Sequence, residues 1–524
     1  MKYTMSRRQF LKGVARAAAA TPLWSVTRAQ GASRFGTDAA SNRIDHIIVI
    51  FQENRSFDHY FGSYRHPQRV AVANLLDKKG QIEGRWTGWQ KDPAGIPYTS
   101  LPVPTILPGF FEAQIPNAPF PLGLYIPASA NVPWDPGHRF FRMAAEMNNG
   151  RMDRFVALAM DHKADLSRRA LDALSAERLA FDLGRPSGPV LGFYDRHDIP
   201  FYHQLADEFV LFDHFFQAAT GGSTVNALYL VAGRSCQNPR APRDARSPYD
   251  PRATGREHAF FDLPYDHKGV LINDLPPVQG PTGTDRKALR LSPPPQAQSY
   301  ETIGDRLNEA HVSWAWYNEN WNLVKNWALK NAFGPGEGSA VIDSGQLYVA
   351  HHNPFQYYPR WPEYVQDGHM RGVEDFLEDA ASGRLPQVAF LKATAAHDEH
   401  PAGCAPQRGM DWVRQLLTAV GKSPAWERTA VFITYDEGGG FWDHVPPPQL
   451  DAYGLGTRIP GLLISPYARK GYVDHHMADT SSILKWIETR FRLAPLTRRD
   501  AGAYDLKEAF DFDQRPRDPG PLLV

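Results

Sequence analysis

The chain reads His46-Ile-Ile-Val-Ile-Phe-Gln-Glu-Asn-Arg-Ser-Phe-Asp-His-Tyr-Phe-Gly62. Residues 47–51 form an apolar run of strand type. After Gln52 the run breaks into four polar residues, Glu53-Asn54-Arg55-Ser56. A buried strand that delivers a carboxylate and an amide at its carboxyl end builds a site, because ligands of α/β sheets sit just beyond strand ends. Asn and Glu are also common at helix starts, so capping of the next helix is the competing reading. The stretch alone leaves both open.

Further along, short apolar runs predict strands at 209–212, 312–317, 388–391, 430–434 and 461–464. Helical spacing predicts helices over 300–310, 412–420 and 482–491, the last with Asp479 and Thr480 as capping candidates. This alternation is the pattern of an α/β fold. Polar clusters follow the strands. Gln217-Ala-Ala-Thr-Gly-Gly-Ser223 and Asn226 follow the second, His397-Asp-Glu-His-Pro401 follows 388–391, and Tyr435-Asp-Glu-Gly-Gly-Gly-Phe-Trp-Asp-His444 follows 430–434. If the strands run parallel, these clusters converge on one sheet edge, and a catalytic face is the best single explanation.

Each cluster has its own chemistry. Asp436 and Glu437 are adjacent carboxylates, unfavourable in a partly buried site unless a cation neutralises them. With Glu53 and the Asn54 amide oxygen they make an oxygen-rich set for one hard divalent metal ion. An exposed acidic turn is the plainer reading, but the flanking Tyr435, Phe441 and Trp442 argue for burial. Ser223 stands near a helix start, where free N–H groups favour an anion and a nucleophilic oxygen; an ordinary serine cap fits the segment equally. His138, His400 and the pair His351-His352 lie in loops, where they would hold phosphate oxygens or protonate a leaving group.

At 524 residues, 42% of them apolar, the chain has ample material for a core, and its Gly- and Pro-rich stretches carry enough aromatics to read as ordered loops. Ser6-Arg7-Arg8-Gln9-Phe10-Leu11-Lys12 is a twin-arginine pattern, followed by an Ala-rich segment and a small-residue cleavage candidate at Thr27-Arg28-Ala29. The expectation is a signal peptide over 1–29, export through the twin-arginine machinery, and a periplasmic or secreted protein. The 57 basic and 57 acidic residues balance; the leader holds six of the basic ones and no acid, so its removal leaves a net charge of −6. An acidic secreted chain gives no electrostatic case for nucleic acid, and no apolar run is long enough for a stable membrane span. The two cysteines, Cys236 and Cys404, are too few for a disulfide framework and leave a bond or free thiols open.

Glu53–Gly62, the Gly-Gly-Ser223 segment with Asn226, His397–Pro401 and Tyr435–Pro448 together resemble the phosphoesterase family of bacterial phospholipases C and related acid phosphatases. The resemblance runs from about residue 44 to the end, as one catalytic domain over 44–524. It implies an alkaline phosphatase-like α/β fold: a central, mostly parallel β-sheet flanked by helices, to which the shift to Pro-rich composition adds long loop insertions near 64–135 and 236–298. Carried over, it makes Glu53, Asn54, Ser223, Asp436 and Glu437 the ligands of one divalent metal ion. Ser223 would also be the nucleophile that forms a phosphoserine, and Asn54 would also touch a phosphate oxygen. His138, His400 and one of His351 or His352, with His352 favoured, would bind the phosphoryl group, one of them as leaving-group acid.

The His351-His-Asn-Pro-Phe355 and Asp479-Thr-Ser-Ser-Ile-Leu-Lys485 segments resemble the acid phosphatase branch, and the short stretch after the 482–491 helix is expected to leave no room for the extra C-terminal β-domains of classical phospholipases C. The expected activity is therefore hydrolysis of phosphate monoesters. The alternatives are a phospholipase C acting on phospholipid phosphodiesters and, in a different class, a secreted binding protein whose Trp- and Tyr-rich loops form a ligand groove.

Overall fold

The computed structural model describes residues 43–523, apart from 105–106, 108, 112–113, 162–183, 239–264, 267, 278, 282–297 and 329–346. The twin-arginine segment and most of the 236–298 insertion lie outside the described residues. The frame is an eight-stranded sheet made of β1 (His46–Gln52), β2 (Val210–Phe212), β3 (Trp314–Asn318), β4 (Met370–Gly372), β5 (Val388–Lys392), β6 (Thr429–Tyr435), β7 (Gly461–Ile464) and β8 (Tyr472–Asp474). Their order across the sheet is β4-β3-β5-β1-β6-β7-β2-β8. Neighbours run parallel except at β7, which is antiparallel to both β6 and β2. The segment 436–460 explains the exception. It contains no helix to carry the chain back across the sheet, so the chain re-enters from the edge it left.

The opening stretch occupies the middle of this sheet. β1 pairs with β5 on one side and β6 on the other, and Ile47 to Phe51 are at most 1% exposed. A strand covered on both faces needs apolar residues at every position, which is why the run does not alternate. Register places Trp316, Phe390, Val49 and Phe432 on one face. On that face Phe432 meets Trp486 of the helix Thr480–Phe491, with ring centres 5.9 Å apart. Tyr317 points the opposite way and meets Phe376 of the helix Val373–Ser382 at 5.3 Å. Helices Ser223–Ala232 and Ile303–Glu309 pack with the first layer; Pro200–Glu208 and Pro406–Lys422 pack with the second. The fold is thus a mostly parallel sheet between two helical layers.

Local signals account for the helix limits. Asp479 caps Thr480–Phe491 by accepting from Ser481 N, and Thr302 caps Ile303–Glu309 with Asp305 closing a capping box. The helix expected over 412–420 begins earlier, at Pro406, whose fixed φ suits a first turn. The described residues of the 64–135 region are mainly irregular, with Ser100–Leu101 paired to Ile115–Pro116 and Phe120–Pro121 paired to Gly192–Phe193. They are nonetheless packed, sending Leu75, Trp86, Ile115 and Trp134 into the core. Cys236 and Cys404 are both free and buried. Among the described residues no helix is long and apolar enough to cross a membrane.

Candidate active site

β5, β1 and β6 end side by side, so the segments that follow them open on one edge. Gln52 pairs in register with Tyr435, which sets Glu53 beside Asp436. The ladder continues past the strands: Asp436 N donates to Gln52 O at 3.0 Å, and Glu53 N donates to Asp398 O at 2.8 Å. Asn54 then takes a left-handed backbone, φ 60°, which asparagine tolerates better than most residues. Its N–H donates to Asp436 Oδ1 at 2.8 Å. Gly439 faces it across the loop with φ +64°, and a Cβ there would lie 2.3 Å from Asn54 O. Only glycine allows that approach.

The capping reading of Glu53 and Asn54 does not hold. The cap of the helix Phe57–Phe61 is Ser56, whose Oγ accepts from His59 N at 3.2 Å. Ser223 is no cap either. It is the first residue of Ser223–Ala232, with Gly222 at the cap position, while Asp274 Oδ1 takes Thr224 N at 2.8 Å. The Ser223 hydroxyl donates instead to Glu53 Oε2 at 2.8 Å. Asn226 holds the preceding turn, accepting from Ala219 N at 3.0 Å and donating to the Ala219 and Gly221 carbonyls at 3.2 Å.

Three oxygens in this pocket, Asn54 Oδ1, Asp436 Oδ2 and Glu437 Oε1, are buried without a hydrogen-bond partner among the described residues. Orphan acceptors beside carboxylates are costly unless a cation meets them. Burial, then the neighbouring Glu53 carboxylate, pushes Asp436 well above the usual carboxylate range; burial and Asp436 do the same to Glu437. The donor set is all oxygen, as a hard divalent cation requires. Glu53, Asn54, Ser223, Asp436 and Glu437 therefore fit such an ion.

The histidines ring this pocket. His138 Nδ1–H donates to Pro136 O at 2.7 Å, which leaves Nε2 facing Asn54 Nδ2 at 3.4 Å and Glu437 Oε1 at 3.7 Å. His400 Nδ1–H donates to Pro401 O at 2.6 Å, and its ring centre lies 5.6 Å from that of His138. Burial opposes charge on His400, but Asp135, Asp398 and Glu53 outweigh it and lift the imidazole to about 9. His352 Nδ1 stands 3.5 Å from Glu53 Oε1 and, by burial first, is held well below the ordinary histidine value. His351 packs against it, ring centres 4.4 Å apart. All the expected site residues thus form one connected network. His397 does not join it; its Nδ1 pairs with Glu319 Oε1 at 2.7 Å.

Other residues enter that the sequence reading gave no part. Lys392, the last residue of β5, is fully buried and donates to Glu53 Oε1. Glu399 accepts from Tyr60 OH at 2.6 Å, Tyr435 OH at 2.9 Å, Gln52 Nε2 at 3.2 Å and from Tyr202 OH, while Arg55 binds its carbonyl. Asp58, Asp443 and His444 could suit a metal by composition, but Arg458 fills the group, donating to Asp443 Oδ1 at 2.9 Å and to Asp58 Oδ1 at 3.0 Å. The Glu53–Gly62 and Tyr435–Pro448 segments are therefore joined twice, once in the pocket and once at this buried ion cluster.

Family and relatives set the class: the protein is a hydrolase of phosphoric ester bonds. The model of the phosphoesterase family matches residues 44–494, and the chain belongs to that family. Phospholipase C B of Mycobacterium tuberculosis is 27% identical over 99% of this chain and 88% of its own length. Non-specific phospholipase C6 of Arabidopsis thaliana is 32% identical over 93% of this chain and 76% of its own. Among solved structures, a protein in the alkaline phosphatase superfamily from Vibrio parahaemolyticus is similar over 61% of this chain and 66% of that one, with 14% identity and a TM-score of 0.30.

Proposed function

We propose that the protein is a metal-dependent phosphoesterase of the phospholipase C type, working through a phosphoserine. The observation that carries this is the Ser223 hydroxyl, free of any capping role and bonded to Glu53 Oε2 at 2.8 Å inside a pocket of unpartnered buried oxygens. The cation that Glu53, Asn54, Ser223, Asp436 and Glu437 would hold supplies positive charge for the anionic phosphoryl group. Ser223 Oγ attacks phosphorus, forming the Oγ–P bond as the bond to the leaving alcohol breaks. Its proton has an acceptor in place at Glu53 Oε2. His400, lifted to about 9, carries a proton at neutral pH and suits the role of donor to the leaving oxygen. Water then cleaves the Oγ–P bond and restores Ser223. The Asn54 amide and His138, side by side at 3.4 Å, would hold the non-bridging oxygens.

Monoesters and phospholipid diesters share this chemistry. The relatives that match nearly the whole chain are named phospholipases C, which favours the diester. The span itself does not separate the branches, because the match covers 88% of the Mycobacterium tuberculosis relative. The monoester reading rests on the His351–Phe355 and Asp479–Lys485 segments. Release of p-nitrophenol from its phosphorylcholine ester and from its phosphate decides between them. A higher kcat/KM on the plain phosphate overturns the diester assignment. The twin-arginine pattern supports export of the folded protein; a reporter fused to residues 1–29 that stays in the cytoplasm would refute that.

A further inference from the structure

A buried ammonium at the end of an apolar strand is costly unless it is paired. Lys392 is 0% exposed, and its Nζ donates to Glu53 Oε1 and, at 3.1 Å, to Phe51 O. The nitrogen also lies 5.1 Å from the Phe51 ring centre. This divides the Glu53 carboxylate. Oε1 faces Lys392 and, 3.5 Å away, His352, while Oε2 is left to the Ser223 hydroxyl and the pocket.

The charge count gives the division a purpose. Glu53, Asp436 and Glu437 bring three negative charges into one buried pocket, and a divalent cation cancels two. Lysine adds one positive charge and cannot serve as a ligand while protonated. Resting on the metal-centre reading above, we propose that Lys392 is the charge-balancing residue of this centre: held at Glu53 Oε1, it offsets the carboxylate charge that a divalent cation leaves over before an anionic phosphate ester enters.

The proposal separates two affinities. Without the ammonium, an anion meets a loaded pocket with one positive charge fewer, and in low dielectric the third carboxylate then repels it strongly. The cation, by contrast, loses a repelling neighbour. Phosphate binding therefore weakens while cation binding does not. A lysine that only packed the strand end would weaken both.

The test uses the full chain with Lys392→Gln, Lys392→Met and Lys392→Arg. Calorimetry follows Ca²⁺ or Mn²⁺ alone, then inorganic phosphate on the cation-loaded protein, with circular dichroism to establish the fold. The neutral variants should bind the cation at least as tightly as native to within about threefold, and phosphate at least about tenfold more weakly. Lys392→Arg should return phosphate binding to within about threefold of native. Unchanged phosphate affinity in a folded neutral variant overturns the proposal. So does joint loss of cation and phosphate with the fold intact, since that marks a structural prop. If only one neutral variant folds, it decides. If the native chain binds neither cation, the metal-centre reading fails instead, which distinguishes the two failures.

Discussion

Asn54 and Asp436 are joined by one hydrogen bond, from the Asn54 N–H to Asp436 Oδ1 at 2.8 Å, between residues 382 positions apart. The same oxygen accepts Glu437 N at 2.7 Å. Asp436 therefore has two jobs divided between its two oxygens. Oδ1 ties the β1 and β6 extensions together, and Oδ2, buried without a partner, faces the pocket.

That division makes Asp436→Asn informative. An asparagine can keep its oxygen on the two amides, so the fold should survive with an unchanged circular dichroism spectrum. The pocket loses a carboxylate and gains an amide where the cation would bind. Bound divalent metal, measured by plasma mass spectrometry after dialysis, should fall from one equivalent to none, with turnover down at least about 10³-fold. Full metal content in the variant would remove Asp436 from the ligand set.

Ser223→Ala isolates the nucleophile. Gly222 holds the cap position, so the helix start loses nothing with the hydroxyl, and stability should stay within about 1 kcal/mol of native. Turnover should fall about 10⁴-fold or more, as it does when a nucleophile is deleted. Acid quench of native enzyme with a ³²P-labelled ester should trap label on the protein, and the variant should trap none. Equal labelling of both would place the nucleophile elsewhere.

The sequence carried much of this pocket openly. β1 is legible because a central strand must be apolar throughout, and the polar residues just past β1, β5 and β6 mark one edge once those strands run parallel. The glycines after Glu437 are legible as a close approach, though not that Asn54 O is what Gly439 approaches. Other features leave no such trace. β4 and β8 span only three residues each, too short for any period to show. The reversed direction of β7 depends on a missing crossover rather than on its own residues. Lys392 reads locally as the polar end of a strand; its role comes from Glu53, 339 positions away.

Glu399 is the pocket's foundation. Its two oxygens take four donors, three of them tyrosine hydroxyls, directly before the residue that carries the His400 imidazole. Glu399→Gln replaces one acceptor with an N–H₂ group that faces hydroxyls already donating, so at least one buried bond is lost. Urea unfolding should show a loss of about 1–3 kcal/mol. An unchanged midpoint would mean that the tyrosines turn round and find other acceptors.

His203 should make stability fall in mild acid. It is buried between Phe61 and Tyr64, its Nε2–H donates to Tyr60 O at 2.8 Å, and its Nδ1 has no hydrogen-bond partner. Burial holds it down at about 4, against 6.5 for a free imidazole. Below pH 6.5 the unfolded chain takes up a proton that the folded chain refuses until about pH 4, so stability is present above 6.5 and drains away as pH falls through that window. Between pH 7 and pH 5 this one residue should account for about 2 kcal/mol. Gln at 203 keeps a donor for Tyr60 O and does not titrate. His203→Gln should therefore flatten the decline in urea midpoint from pH 7 to 5 by that amount, whatever its stability at pH 7. An equally steep decline in the variant would show that the proton enters elsewhere, with His59, also held low first by burial, the next residue to replace.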